Sequence, residues 1–237
     1  MKRWLLAATC GVVALGLLLY PLVGELLSER YHSDIETVYT AAIEGTDKTE
    51  LTAQREAAEQ YNAMLSGAAT ITEGGASAPP LAYAQQLTVG GVMAYVDIPK
   101  INVYLPVQHG TDADTLEKSV GHVVGTSLPV GGSSTHAVLS AHSGMANSKL
   151  FSDIDQLAAG DTFYIHVLGE VLAYQVDNIA TVLPTDTDVR DAIHCTAEEI
   201  SCAGTLLFAD IFSRRTNPSA VQFVSELAAY INKEYHA

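Results

Sequence analysis

His142 closes the apolar run Val138-Leu139-Ser140-Ala141 and is followed by Ser143-Gly144-Met145. An apolar strand that ends in a titratable ring and a small-residue turn puts the ring at a rim, where a general acid/base belongs. Strand alternation places His136, Val138, Ser140 and His142 on one face. The plainer alternative is a strand-end His hydrogen-bonded to backbone. The chain also holds three thiols, Cys10, Cys195 and Cys202. A thiolate beside an imidazole is the basis of acyl transfer through a thioester. Cys202 has Arg214 and Arg215 downstream, whereas Cys195 sits in Ile193-His194-Cys195-Thr196. Either Cys could instead be structural, and the two could pair as a disulfide in an oxidising setting. His109, His122 and His136 complete the candidates, but no His pair stands at helical i, i+4 spacing and no Cys spacing suggests zinc. No metal site is expected.

These groups need a scaffold, and the chain from Gly91 onward has β texture. Val92–Ile98 alternates, Val103–Val107 is a second short strand, and Ala137–Ala141 is apolar and suited to a sheet. Thr162–Leu168 and Val171–Val176 read as two strands joined at Gly169-Glu170 in a type II′ hairpin turn. A short helical turn is expected between Ser148 and Leu157, stopped near Gly160. Many short strands separated by turn signals argue for a closed or nearly closed barrel with short helices. Upstream, Ile35, Val38, Tyr39 and Ala42 recur at helical spacing over residues 24–67. Gly45 interrupts that helix, Asp47 with Glu50 resembles a capping box that restarts it, and Gly67 suits its C-terminal cap. Residues 68–90, with Gly74-Gly75 and Pro79-Pro80, keep no periodicity and read as a linker or lid-like segment.

The N-terminus has a different character. Lys2 and Arg3 precede an uncharged apolar run from Trp4 to Val23, just long enough to span a bilayer. Flanking cations predict a cytoplasmic N-terminus with the remainder outside. A cleaved leader is the competing reading, but no clear A-x-A site precedes the polar segment. The net charge of −15 excludes a basic nucleic-acid surface and disfavours peripheral attachment to anionic lipid.

The string Ile98-Pro99-Lys100-Ile101, Gln108-His109-Gly110-Thr111, Gly121-His122, Gly125-Thr126-Ser127-Leu128-Pro129, Ser140-Ala141-His142-Ser143-Gly144 and Leu150-Phe151-Ser152-Asp153-Ile154 resembles the class C, pilin-polymerising sortases. Tyr20-Pro21-Leu22 and Tyr31 fit that habit more loosely. The resemblance implies five segments. They are a transmembrane anchor (1–23), a helical stalk (24–67), a linker or lid (68–90), a sortase-like β-barrel core (91–189) and a divergent C-terminal segment (190–237). It implies a cysteine transpeptidase at the surface of a Gram-positive cell. Such an enzyme cleaves an LPXTG-like sorting signal on pilin precursors and joins subunits through a Lys isopeptide bond, without cofactor. His142 carries over as acid/base, whereas His109 and His122 carry over as structural residues. The family's lid anchor, Asp-Pro-aromatic, has only Ala78-Pro79-Pro80-Leu81 as its nearest match.

The resemblance departs after Pro184–Val189. A Thr-Cys strand followed by Thr-His-Arg is expected, with the thiol near 205–208, but the chain reads Thr205-Leu206-Leu207-Phe208 there. Cys202 is the nearest candidate nucleophile. Codons for Leu206–Ala209 and Thr216–Val221 can be chosen so that a one-base shift yields Cys-Cys-Ser-Pro and then Gln-Thr-His-Arg-Leu. A frameshift between about Val189 and Ala203 would therefore explain the loss, and a catalytically inactive homologue is the alternative to a working enzyme. Against a shift, Val221, Val224, Leu227, Ala228 and Ile231 keep a helical stripe.

Overall fold

A computed structural model of the chain describes residues 2–65, 82–132, 135–176, 179 and 204–211. The apolar run and the segment behind it form one helix, α1 (Lys2–Gly45), with Pro21 inside it. Residues 3–20 are exposed all round, and this helix is long and apolar enough to cross a membrane. From Pro21 onward one stripe is covered instead, through residues 24, 28, 31, 32, 35, 36, 39, 42 and 43. That is the i, i+3, i+4 stripe of a helix lying on a surface. Val38, expected in the stripe, is 59% exposed, and Ile43 takes the covered position instead.

Tyr39 packs with Val92 and Tyr95, and its hydroxyl accepts a hydrogen bond from Leu168 N at 3.0 Å. Helix α2 (Lys48–Leu65) restarts at Asp47, whose carboxylate accepts from Thr49 N at 2.7 Å. The cap bond thus falls one residue short of the expected Glu50. Asn62 in α2 is buried, donating to Leu128 O at 3.0 Å and accepting from Leu128 N at 2.7 Å. The helical segment is therefore fastened to the sheet domain at several points along its length.

The sheet has seven strands: β1 (Ala94–Ile98), β2 (Val103–His109), β3 (Val120–His122), β4 (His136–Ser143), β5 (Thr162–Val167), β6 (Glu170–Gln175) and β7 (Gly204–Ile211). Their spatial order is β6-β5-β1-β2-β3-β4-β7. The β2–β3 and β4–β7 pairs are parallel and the other pairs antiparallel. The barrel expected from the strand count is thus a curled mixed sheet, with β6 and β7 at its two ends among the described residues. A short helix, α3 (Ala113–Lys118), links β2 to β3 and is N-capped by Asp112, which accepts from Thr115 N at 3.1 Å. The core takes Ala94, Val96 and Ile98 from β1, Val107 from β2, Val120 from β3, Leu139 and Ala141 from β4 and Ile165 from β5, all fully buried.

The β5–β6 hairpin forms as expected, but its turn is Leu168-Gly169, one residue earlier. Both residues have positive φ, 51° and 78°, which makes the turn type I′ rather than II′. A left-handed leucine is costly. Here Leu168 is buried and its N–H is held by Tyr39, while Ile43 packs over Gly169. The expected turn between Ser148 and Leu157 includes a 3-10 helix, Ile154–Gln156.

Candidate functional site

β4 carries His142 as its penultimate residue and is covered on both faces. His142 keeps 8% of its surface exposed at the end of the strand. The chain then turns at Gly144 (φ 77°), whose N–H donates to Ser152 Oγ at 2.9 Å. It returns at once: Phe151 N donates to His142 O at 3.1 Å. Leu150 and Phe151 are buried beneath this turn. The apolar Leu-Phe pair thus anchors the segment that backs the histidine, an arrangement that holds an imidazole in place from the backbone side.

On the other side runs β7, parallel to β4. Thr205–Phe208 lie alongside Ala137–Ser140, and Asp210 is the residue in register with His142. The sequence of β7 contains no Cys. Among the described residues the one cysteine is Cys10, in the exposed apolar half of α1. Cys195, Cys202, Arg214 and Arg215 lie outside the described residues, as do Ala78-Pro79-Pro80-Leu81, Gly67 and the helical stripe from Val221 to Ile231.

The other candidate histidines have different surroundings. His122 is fully buried, with Nε2 2.8 Å from Ser127 O and Nδ1 3.0 Å from the Tyr83 hydroxyl. A carbonyl can only accept, so the ring carries its proton on Nε2 and Nδ1 accepts from Tyr83. Burial lowers its pKa to about 4, and the neutral ring is the folded form. His109 sits nearby with Nε2 2.7 Å from Gln86 O, its pKa also lowered by burial. Tyr83 lies between them, edge-on to His109 and stacked on His122, and accepts from Gly110 N at 3.0 Å. The Gly121-His122 motif has a steric basis as well: a Cβ on Gly121 would lie 2.4 Å from Gly110 O. The ring nitrogens that face this cluster are thus held by a hydroxyl and by main-chain carbonyls. No local pattern singles out Tyr83, although it is the first aromatic after the small-residue stretch that ends at Pro80. His136, at the start of β4, is also lowered by burial.

The Sortase domain family matches residues 96–203. Sortase C1 of GBS pilus island 1 superposes with a TM-score of 0.64 at 32% identity, covering 78% of this chain and 86% of that one. The chain belongs to the sortase family. Sortase C-1 from Actinomyces oris is 42% identical over 59% of this chain and 80% of its own, with a TM-score of 0.51. Sortase D of Bacillus subtilis (strain 168) is 32% identical over 105 residues, which are 44% of this chain and 50% of that relative. The chain thus matches about half the length of this curated relative. The family match runs past Val189, where the motif string gives out, and takes in both His142 and Cys202 before stopping immediately ahead of β7.

Proposed function

We propose that this sortase is a membrane-anchored cysteine transpeptidase acting on LPXTG-like sorting signals of pilin precursors. The observation that carries the reading is His142, held at the end of β4 beside a parallel neighbour strand, inside the family-matched segment. A pilus-island sortase among the structural relatives supports pilins as the substrate class. In the proposed reaction a thiolate adds to the Thr carbonyl carbon, and the Thr–Gly bond breaks. His142 gives a proton to the leaving amine, and an acyl-thioester remains. A Lys amine of the next pilin attacks the thioester, the thiol leaves, and an isopeptide bond forms. One amide is exchanged for another, so the sequence of steps balances without a redox or nucleotide co-reactant. Cys202 is the proposed nucleophile, with Arg214 or Arg215 as the oxyanion donor. Trp4 to Val23 serves as the anchor, leaving the sheet domain outside the cell.

Cleavage of an LPXTG-type peptide by the full chain in detergent tests this. Turnover should be lost in Cys202→Ala and kept in Cys195→Ala. The reverse pattern would move the nucleophile to Cys195. One observation favours a second reading: the β7 residue in register with His142 is Asp210, not a thiol. On that reading the protein keeps the fold and lacks the reaction, and a folded sample shows no turnover with any thiol intact. The nucleotide sequence across codons 185–225 decides whether a one-base shift removed the motif.

A further inference from the structure

Helix α1 does more than anchor the chain, because its docked half ties the sheet to the helix axis at ordered heights. Immediately after the apolar run, Gly24 approaches Asn147 so closely that a Cβ on Gly24 would lie 2.6 Å from the Asn147 Cβ. One turn later, Ser28 Oγ is 2.9 Å from Ser148 Oγ. A further turn on, His32 Nε2 is 2.7 Å from Lys118 O. Tyr39 then holds Leu168 N, and Ile43 packs over Gly169. Gly24 and Ile43 are about 28 Å apart along a helix. The turn after His142 is therefore fixed at one end of the docked segment, and the β5–β6 turn at the other.

We propose that the His142 end of the sheet, with its Gly144–Lys149 loop, faces the bilayer, while the Leu168-Gly169 turn points away from it. This rests on the reading of Trp4–Val23 as a membrane span. Ser28 lies five residues beyond Val23, about 8 Å of helix. Ser148 is three residues from Phe151, at most about 11 Å of chain, and Phe151 N is bonded to His142 O. His142 is thereby confined to within roughly 30 Å of the end of the apolar run. Charge agrees with this placement. Ser143 to Ser152 contains no acidic residue, and its one Lys, Lys149, pairs with Asp153 at 3.0 Å, which leaves the loop near neutral in a chain of net charge −15. An anionic bilayer repels most of this surface and tolerates that loop. A polypeptide substrate still held in the same bilayer would then present its cleavage point at the height of His142.

Depth measurement on the full chain in nanodiscs of phosphatidylcholine and phosphatidylglycerol tests the orientation. Single fluorophores are placed by Leu15→Cys, Ala146→Cys or Val171→Cys, with Cys10, Cys195 and Cys202 replaced by Ala. Positions 146 and 171 are both exposed. A lipid with a nitroxide on its headgroup should quench the label at 146 severalfold more than that at 171, and an acyl-chain nitroxide should quench the label at 15. Gly24→Leu, which drives a side chain into Asn147, should erase the difference between 146 and 171. If 15 is quenched but 146 and 171 are alike, or 171 is the stronger, the orientation is wrong and the anchor stands. If 15 is not quenched, the anchor reading fails and takes the orientation with it. Should the Cys replacements unfold the protein, a benzophenone amino acid at 146 or 171 in the otherwise unchanged chain gives the same comparison. Photo-adducts with lipid at 146 and not at 171 support the proposal, and any other distribution overturns it.

Discussion

Strand β4 has two neighbours that differ in kind. On the β3 side, Gly121 pairs with Ser140 and His122 with Leu139, and the flank is closed by buried, hydrogen-bonded groups. On the β7 side, the strand runs parallel and in register, yet the residue alongside His142 is Asp210. The first flank shows how packing preserves a motif. Gly121 has no room for a side chain, and His122 has a fixed partner on each ring nitrogen. The second shows that a strand needs no thiol to pair. Hydrogen bonds of the main chain form β7 whatever its side chains can do chemically.

The largest expected effect lies at the boundary between these flanks. If the β7 side still supports catalysis, His142→Ala should lower LPXTG-peptide cleavage by about 10²–10⁴-fold, the range general acid/base catalysis contributes. A variant as fast as the parent would remove His142 from the reaction.

On the β3 side the readout is stability. His122 is neutral in the fold, with a pKa near 4. In the unfolded chain it returns to about 6.5. Between these values the unfolded state binds the extra proton, so stability is full above about pH 6.5 and falls as pH drops toward 4. The loss should approach about 3 kcal/mol, readable as a lower urea midpoint at pH 4.5 than at pH 7. Burial lowers His109 and His136 as well, which adds in the same direction. Equal midpoints would contradict the neutral buried ring.

Asn62→Ala should cost about 2 kcal/mol by leaving Leu128 N buried without a partner and Leu128 O with Val130 N alone. A change within error would mean that the Asn62–Leu128 pair contributes nothing to the sheet's stability. Tyr83→Phe should cost about 1 kcal/mol, because the hydroxyl that serves His122 and Gly110 is lost while the ring stacking remains. If Tyr83→Phe instead altered peptide cleavage with stability unchanged, the β3 flank would belong to the site and the contrast between the flanks would fail.

Much of the fold was legible because periodicity and turn chemistry are local. The β5–β6 hairpin, the break at Gly45 and the restart at Asp47 all follow from neighbours in sequence. Local patterning misleads where a distant residue intervenes. Leu168 adopts a left-handed turn because Tyr39 and Ile43, over a hundred positions upstream, hold it there. The docked stripe of α1 uses Ile43 rather than Val38 because the sheet, not the helix, sets which face is covered. In the site, His142 was identifiable from its strand end and its turn. Tyr83 was not, since its value depends on His109, His122 and Gly110 meeting around it.

By itself the sequence determined the apolar helix, the family of the sheet and the histidine at the end of β4, because each is written in contiguous residues whose types act through local geometry. Tertiary structure decided what stands across from that histidine and which end of the sheet lies next to the apolar helix. Both depend on contacts between segments far apart in the chain. Register between β4 and β7, like the approach of Gly24 to Asn147, is fixed only when the whole sheet has closed around its core.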